Sequence, residues 1–139
     1  MKNKATKGKE MVQFTIGMLP VSENNAIASS RRGGYKTKQY KEWEEFVLLT
    51  VKEKCIKCSE WYECEVVFYF PLYFKNGKVR KKDAHNMIKY AIDTVLNNKV
   101  IDSKGERIDD SRILGGGWTS VDSEEERVEI TFYTVGECS

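Results

Sequence analysis

The stretch Lys81-Lys82-Asp83-Ala84-His85-Asn86-Met87-Ile88-Lys89 has residue types and spacing suited to chemistry, and Ile108-Asp109-Asp110-Ser111-Arg112-Ile113 follows it downstream. A basic segment delivers Asp83 and His85 to the start of a helix, where Asp83 can stand as N-cap. Helical spacing then places Asn86, Lys89, Asp93 and Asn97 on one face and Ile88, Ala91, Ile92 and Val95 on the other. Carboxylates from separate elements can converge on one divalent ion, here Asp83 with one or both of Asp109 and Asp110. Hard Mg²⁺ takes carboxylate oxygens and keeps several waters. Such an ion polarises a phosphodiester and acidifies an attacking water. Lys89, less than two helical turns past the first carboxylate, is placed to offset charge developing on a phosphate. The chemistry that these residues suit is phosphodiester hydrolysis.

The surroundings agree with an anionic substrate. Lys78, Arg80, Lys81 and Lys82 crowd the approach to Asp83, and Arg31 and Arg32 sit in a Gly-rich segment that can reach DNA. Asn86 shares the polar helix face. Asp93 either extends the acidic surface or pairs with Lys89 at i+4. A competing chemistry is structural zinc, from Cys55-Ile-Lys-Cys58 with Cys64 and Cys138. Cys64 equally fits the buried face of a strand as a small apolar residue.

The elements that would position these groups follow from periodicity. Met11 to Gly17 reads as a first strand and Ser22 to Gly34 as a loop. Thr37 caps a helix running to about Lys54, with Tyr40, Trp43, Val47 and Val51 as its buried stripe. Glu63 to Phe74 alternates as a long strand, and Lys75-Asn76-Gly77 supplies a turn. A second helix covers Asp83 to about Asn97. Ile113 and Leu114 suggest a short strand beside the glycines at 115–117, and Arg127 to Val135 alternates again. The order β-α-β-α-β-β predicts a single small α+β domain, with two main helices packed on a mixed or antiparallel sheet. Residues 1–10 form a basic arm, 11–135 the domain and 136–139 a tail.

Composition permits this and excludes other classes. The 139 residues are 40% apolar and 12% aromatic, enough for one real core. A net charge of +2 is too small to imply nucleic acid by itself, so segregation of the charge is the informative feature. No apolar run is long enough to span a membrane, and the basic start lacks a signal peptide's apolar region. The expected compartment is the cytoplasm, where the cysteines stay reduced.

Basic residues, then D-x-H-N-x-x-K on a helix, then D-D before a strand, resemble the RusA family of Holliday junction resolvases. Leu19-Pro20-Val21-Ser22-Glu23-Asn24-Asn25 is similar to that family's Pro/Ser/Asn loop after the first strand. Gly34-Tyr35-Lys36-Thr37 before an aromatic-rich helix is similar too, and the likeness runs from about Phe14 to Phe132. The resemblance implies a magnesium-dependent, homodimeric endonuclease acting on branched DNA in recombination and repair. It implies metal binding by Asp83, His85 and Asp110, with Asp109 adjacent, and a catalytic Lys89. His85 stands where many members carry a second aspartate, and imidazole suits Mn²⁺ better than Mg²⁺. That substitution motivates an alternative, a branched-DNA-binding protein of the same fold with a weakened metal site. The segment from Lys99 to Arg107 is longer than the family's usual connection, and it adds Asp102 as a rival carboxylate.

Overall fold

The computed structural model describes residues 10–30 and 33–136. In chain order these form β1 (Met11–Ile16), a single helical turn α1 (Glu23–Ala26), β2 (Ile27–Ser30), β3 (Gly33–Lys36), α2 (Lys38–Thr50), β4 (Lys54–Ile56) and β5 (Trp61–Phe70). A 3-10 turn (Ala84–Met87), α3 (Ile88–Lys99), β6 (Val100–Asp102), a second 3-10 turn (Asp110–Arg112), β7 (Ile113–Asp122) and β8 (Arg127–Val135) complete them. The expected α+β order holds once the short elements are set aside. Among the described residues, no helix is long and apolar enough to cross a membrane.

The main sheet runs β1-β8-β5-β7. β8 is antiparallel to both β1 and β5, while β5 and β7 run parallel. Alternation along β5 buries Tyr62, Cys64, Val66, Phe68 and Phe70, and β8 adds Val128, Ile130 and Phe132 to the same side. Both long helices cover that side. Thr37 accepts a hydrogen bond from the Tyr40 amide, which starts α2 where the sequence places its cap. Trp43 is fully buried, and its indole N–H donates to both the Tyr90 carbonyl and the Thr94 hydroxyl at 3.0 Å. This contact turns α3 relative to its apolar pattern. Tyr90, Ala91, Thr94 and Val95 are buried, whereas Ile88 and Ile92 are only partly covered.

Three segments differ from the sequence reading. The Ser22 to Gly34 loop contains the β2–β3 hairpin, with Ile27 paired to Lys36 and Ser30 to Gly33. β4 and β6 form a small parallel ladder, from Lys54 with Val100 to Ile56 with Asp102. β7 runs straight through its glycines to Asp122 instead of ending near Leu114. The register slips between Tyr62 and Glu63, which bring Ile113 and Gly115 opposite β5. At Gly116 the backbone has φ +147°, and an added Cβ would stand 1.7 Å from the Cys64 carbonyl oxygen. A glycine is what lets the two strands pair there.

Candidate functional site

Asp83 occupies the N-cap position of the first 3-10 turn, yet its side chain makes no capping hydrogen bond. The backbone closes the turn without it, through the Asn86 amide to the Asp83 carbonyl at 3.0 Å. Its carboxylate is exposed and points into a cleft of about 500 Å³. Lys82 and Asn86 line that cleft together with Ser22, Asn24 and Asn25. The Pro/Ser/Asn loop therefore faces the start of the D-x-H-N stretch. Hydrogen bonds from the Asn25 amide to Ser22 and from the Thr37 amide to the Ala26 carbonyl hold that loop against the cap of α2.

Downstream of Asp83, α3 presents Lys89 and Asp93. The Asp93 carboxyl is pushed up from the usual carboxylate range, first by burial and then by the negative charge of Asp110, with Lys89 opposing. The field of Asp110 thus reaches the polar face of α3. Asp109 is engaged differently. Its side chain accepts from the Ser111 amide at 3.1 Å and caps the second 3-10 turn. That hydrogen bond first, and then an interaction with the Asp110 side chain, hold its carboxyl below the usual range. Of the adjacent pair, Asp109 builds the turn and Asp110 is presented by it.

Arg112 anchors this turn, a role that no motif announced. Its guanidinium donates to the Ser59 and Glu60 carbonyls and lies over the Tyr62 ring, 5.6 Å from the centroid. Trp118 is a second residue that the sequence reading missed. It projects from β7, half exposed, with its ring 6.4 Å from that of His85. The only advance signal for either lay in the strand register, which is invisible before β5 and β7 are paired.

Asp102, the rival carboxylate, is buried and accepts from the amides of Lys104 and Glu106 at 2.8 and 3.0 Å. It shapes the turn after β6. Lys78 and Arg80 lie on a hairpin between β5 and Asp83, and Lys81 and Lys82 lead from it into the cleft. Arg31 and Arg32 lie outside the described residues. Cys64 is buried and its thiol is pushed up to about 12, chiefly by burial. Cys55 is exposed, while Cys58 is disulfide-bonded, at odds with four reduced cysteines. Cys138 lies outside the described residues.

Among the described residues, no group of three His, Cys, Asp or Glu side chains stands close enough to hold a metal ion. The donor chemistry nevertheless fits a hard cation. Asp83 is left without a cap bond, and Asp93 and Asp110 repel one another across the α3 face. Mg²⁺ needs only one or two carboxylates beside its waters, and a cation there would relieve that repulsion.

No curated protein matches the chain. A family model described as Endodeoxyribonuclease RusA matches residues 18–133, from the loop that faces Asp83 into the last strand. The match takes in both acidic stretches, the lysine between them and three of the four strands of the main sheet, and the chain belongs to the RusA endodeoxyribonuclease family.

Proposed function

We propose that this chain resolves Holliday junctions by divalent-metal-dependent hydrolysis of one phosphodiester in each of two opposed strands. The observation that supports the reading best is the Asp83 carboxylate, exposed, without a capping bond and lining the cleft beside Lys82 and Asn86. Asp83 and Asp110 would hold Mg²⁺, with His85 as an added donor that favours Mn²⁺. Asp109 contributes by fixing the turn. When bound, the metal supplies a polarised phosphate and an acidified water. Lys89 would hold a positive charge where the phosphate gains negative charge, with Asp93 one turn further along the same helix face. Lys78, Arg80, Lys81, Lys82 and Asn86 hold the flanking backbone, with Arg31 and Arg32 as further phosphate contacts.

A four-way junction has approximate two-fold symmetry, so paired nicks need two sites and a C2 dimer. We assign the dimer contact to the outer edge of β7. That edge has no neighbour among the described strands, and Leu114 and Val121 are exposed along it. The test combines Mn²⁺ binding followed by electron paramagnetic resonance with cleavage of a synthetic junction. Wild-type protein should bind the ion and nick the junction, and Asp110→Asn should lose both. Unchanged ion binding in Asp110→Asn would remove the metal assignment.

A second reading, a junction-binding protein without turnover, is favoured by the lack of a three-group cluster among the described residues. It predicts tight junction binding with no nicking in either Mg²⁺ or Mn²⁺.

A further inference from the structure

Between β5 and Asp83 the chain forms a hairpin of which only the base, at Leu72, packs against the core. Tyr73 pairs with Val79 in an antiparallel bridge. The Phe74 amide donates to the Lys78 carbonyl at 2.7 Å, and the Arg80 amide to the Leu72 carbonyl at 2.8 Å. Gly77, at φ +84°, makes the reversal, and its amide donates to the Phe74 carbonyl at 2.9 Å. The base is tied to the sheet where the Leu72 amide donates to the Asp122 carboxylate at 2.9 Å. The hairpin is therefore an ordered element, not a slack loop.

Its surface is unusual for a solvated turn. Tyr73, Phe74 and Val79 are 54%, 50% and 64% exposed. A chain folding only to bury apolar area would not place three large apolar side chains outside. Residues 75–82 carry Lys75, Lys78, Arg80, Lys81 and Lys82, and residues 71–82 contain no acid. The Arg80 guanidinium stacks on the Phe74 ring at 4.9 Å from its centroid, and the ring remains half exposed. Exposed rings set among cations match single-stranded or unpaired nucleic acid, where bases stack on aromatic side chains and the backbone meets lysine and arginine. An acidic peptide would use the charges but leave the rings idle.

Duplex DNA offers those rings no partner, because its bases are already stacked. At a branch point the stack is interrupted, and a base face can be covered without first opening a helix. We propose that the Tyr73–Phe74 hairpin is a wedge that stacks on bases exposed at the branch point and thereby selects branched over linear DNA. This rests on the resolvase reading for its substrate and adds to it the element that discriminates branch from duplex. The hairpin runs directly into Lys81, Lys82 and Asp83, so a ring seated at the branch would set how far from it the scissile phosphate lies.

The test measures equilibrium binding, in metal-free buffer, of the full chain to a four-way junction and to a linear duplex of the same sequence. The junction carries 2-aminopurine at the branch point. Tyr73→Ala and Phe74→Ala should each weaken junction binding by about tenfold, the scale of one lost base–ring stack, and leave duplex binding unchanged. The 2-aminopurine signal that changes with wild type should stay flat with Phe74→Ala and return with Phe74→Trp. Lys75→Ala and Lys78→Ala should weaken both substrates alike. Equal losses on junction and duplex from the ring variants, or no loss on either, would overturn the wedge. Binding involves no turnover, so a chain that stacks on the branch but never nicks leaves the wedge standing and removes the nuclease. A chain that nicks junctions with its preference intact in Phe74→Ala does the reverse.

Discussion

Asp93 on α3 and Asp110 on the turn before β7 stand close enough that the charge on one raises the proton affinity of the other. Lys89 lies within the same field and opposes the effect. This relationship links the turn that carries Asp110 to the polar face of α3, whereas Asp109 caps its own turn.

The adjacent aspartates should therefore behave differently. Asp110→Asn is expected to lower junction cleavage on the order of a hundredfold or more, as loss of a charge-stabilising group does. Asp109→Asn keeps an oxygen that can accept from Ser111, so it should retain most activity. Asp109→Ala should lose more, through a loosened turn. Single-turnover cleavage by the three variants checks this ordering. Equal loss from both asparagine variants contradicts it.

Lys89 should act on the rate and not on substrate capture. Lys89→Ala is predicted to lower kcat by roughly a hundredfold with little change in junction affinity, because its charge matters most as the phosphate gains negative charge. A fall in affinity with kcat preserved would make it a plain phosphate contact.

Cys64 should be inert in the folded chain. Its thiol is pushed from 9.0 to about 12, mainly by burial, so it stays protonated where alkylating agents need a thiolate. Iodoacetamide should label exposed Cys55 in the native protein and reach Cys64 only after denaturation. The raised value also gives a pH dependence. The unfolded state loses the thiol proton first, so this contribution to stability is complete below pH 9 and is lost as pH rises from 9 towards about 12. Denaturation midpoints across that range, compared with Cys64→Ala, measure it. Zinc analysis of the purified protein should return a stoichiometry near zero.

Trp43 should be the costliest helix-interface residue to truncate. Trp43→Ala empties a fully buried site and should destabilise by about 3–5 kcal/mol. Trp43→Phe keeps most of the volume but loses the indole donor to Tyr90 and Thr94, a loss of about 1 kcal/mol for the bond plus the volume change. Chemical denaturation of both variants gives the comparison.

Much of this was legible in the sequence because it rests on local rules. Period-two burial along β5, the Thr37 cap, the turn at Lys75-Asn76-Gly77 and the spacing of Lys89 from Asp83 follow from neighbours within a few residues. The unread parts depend on partners far along the chain. The rotation of α3 is set by Trp43 on α2, so Tyr90 and Thr94 looked less buried than they are. β7 looked like a broken strand because its glycines depress strand propensity. Only its pairing with Cys64 shows why Gly116 is there.

The site divides in the same way. Residue type and spacing drew attention to Asp83, Lys89 and the Asp109-Asp110 pair, without choosing between the two adjacent aspartates. Arg112 and Trp118 could not be picked out, since their contacts with Ser59 and His85 exist only once β5 and β7 lie side by side. Asp102 looked like a rival ligand until its burial beneath the amides of Lys104 and Glu106 showed it to be a turn-former.

The most direct test of the central claim is strand cleavage of a mobile four-way junction against a linear duplex of matched sequence, first with Mg²⁺ and then with Mn²⁺. Paired, symmetric nicks are expected in the junction with at least one of the two metals, with the duplex intact and no nicks from Asp83→Asn. An intact junction in both metals, or nicking by Asp83→Asn at the wild-type rate, would contradict it.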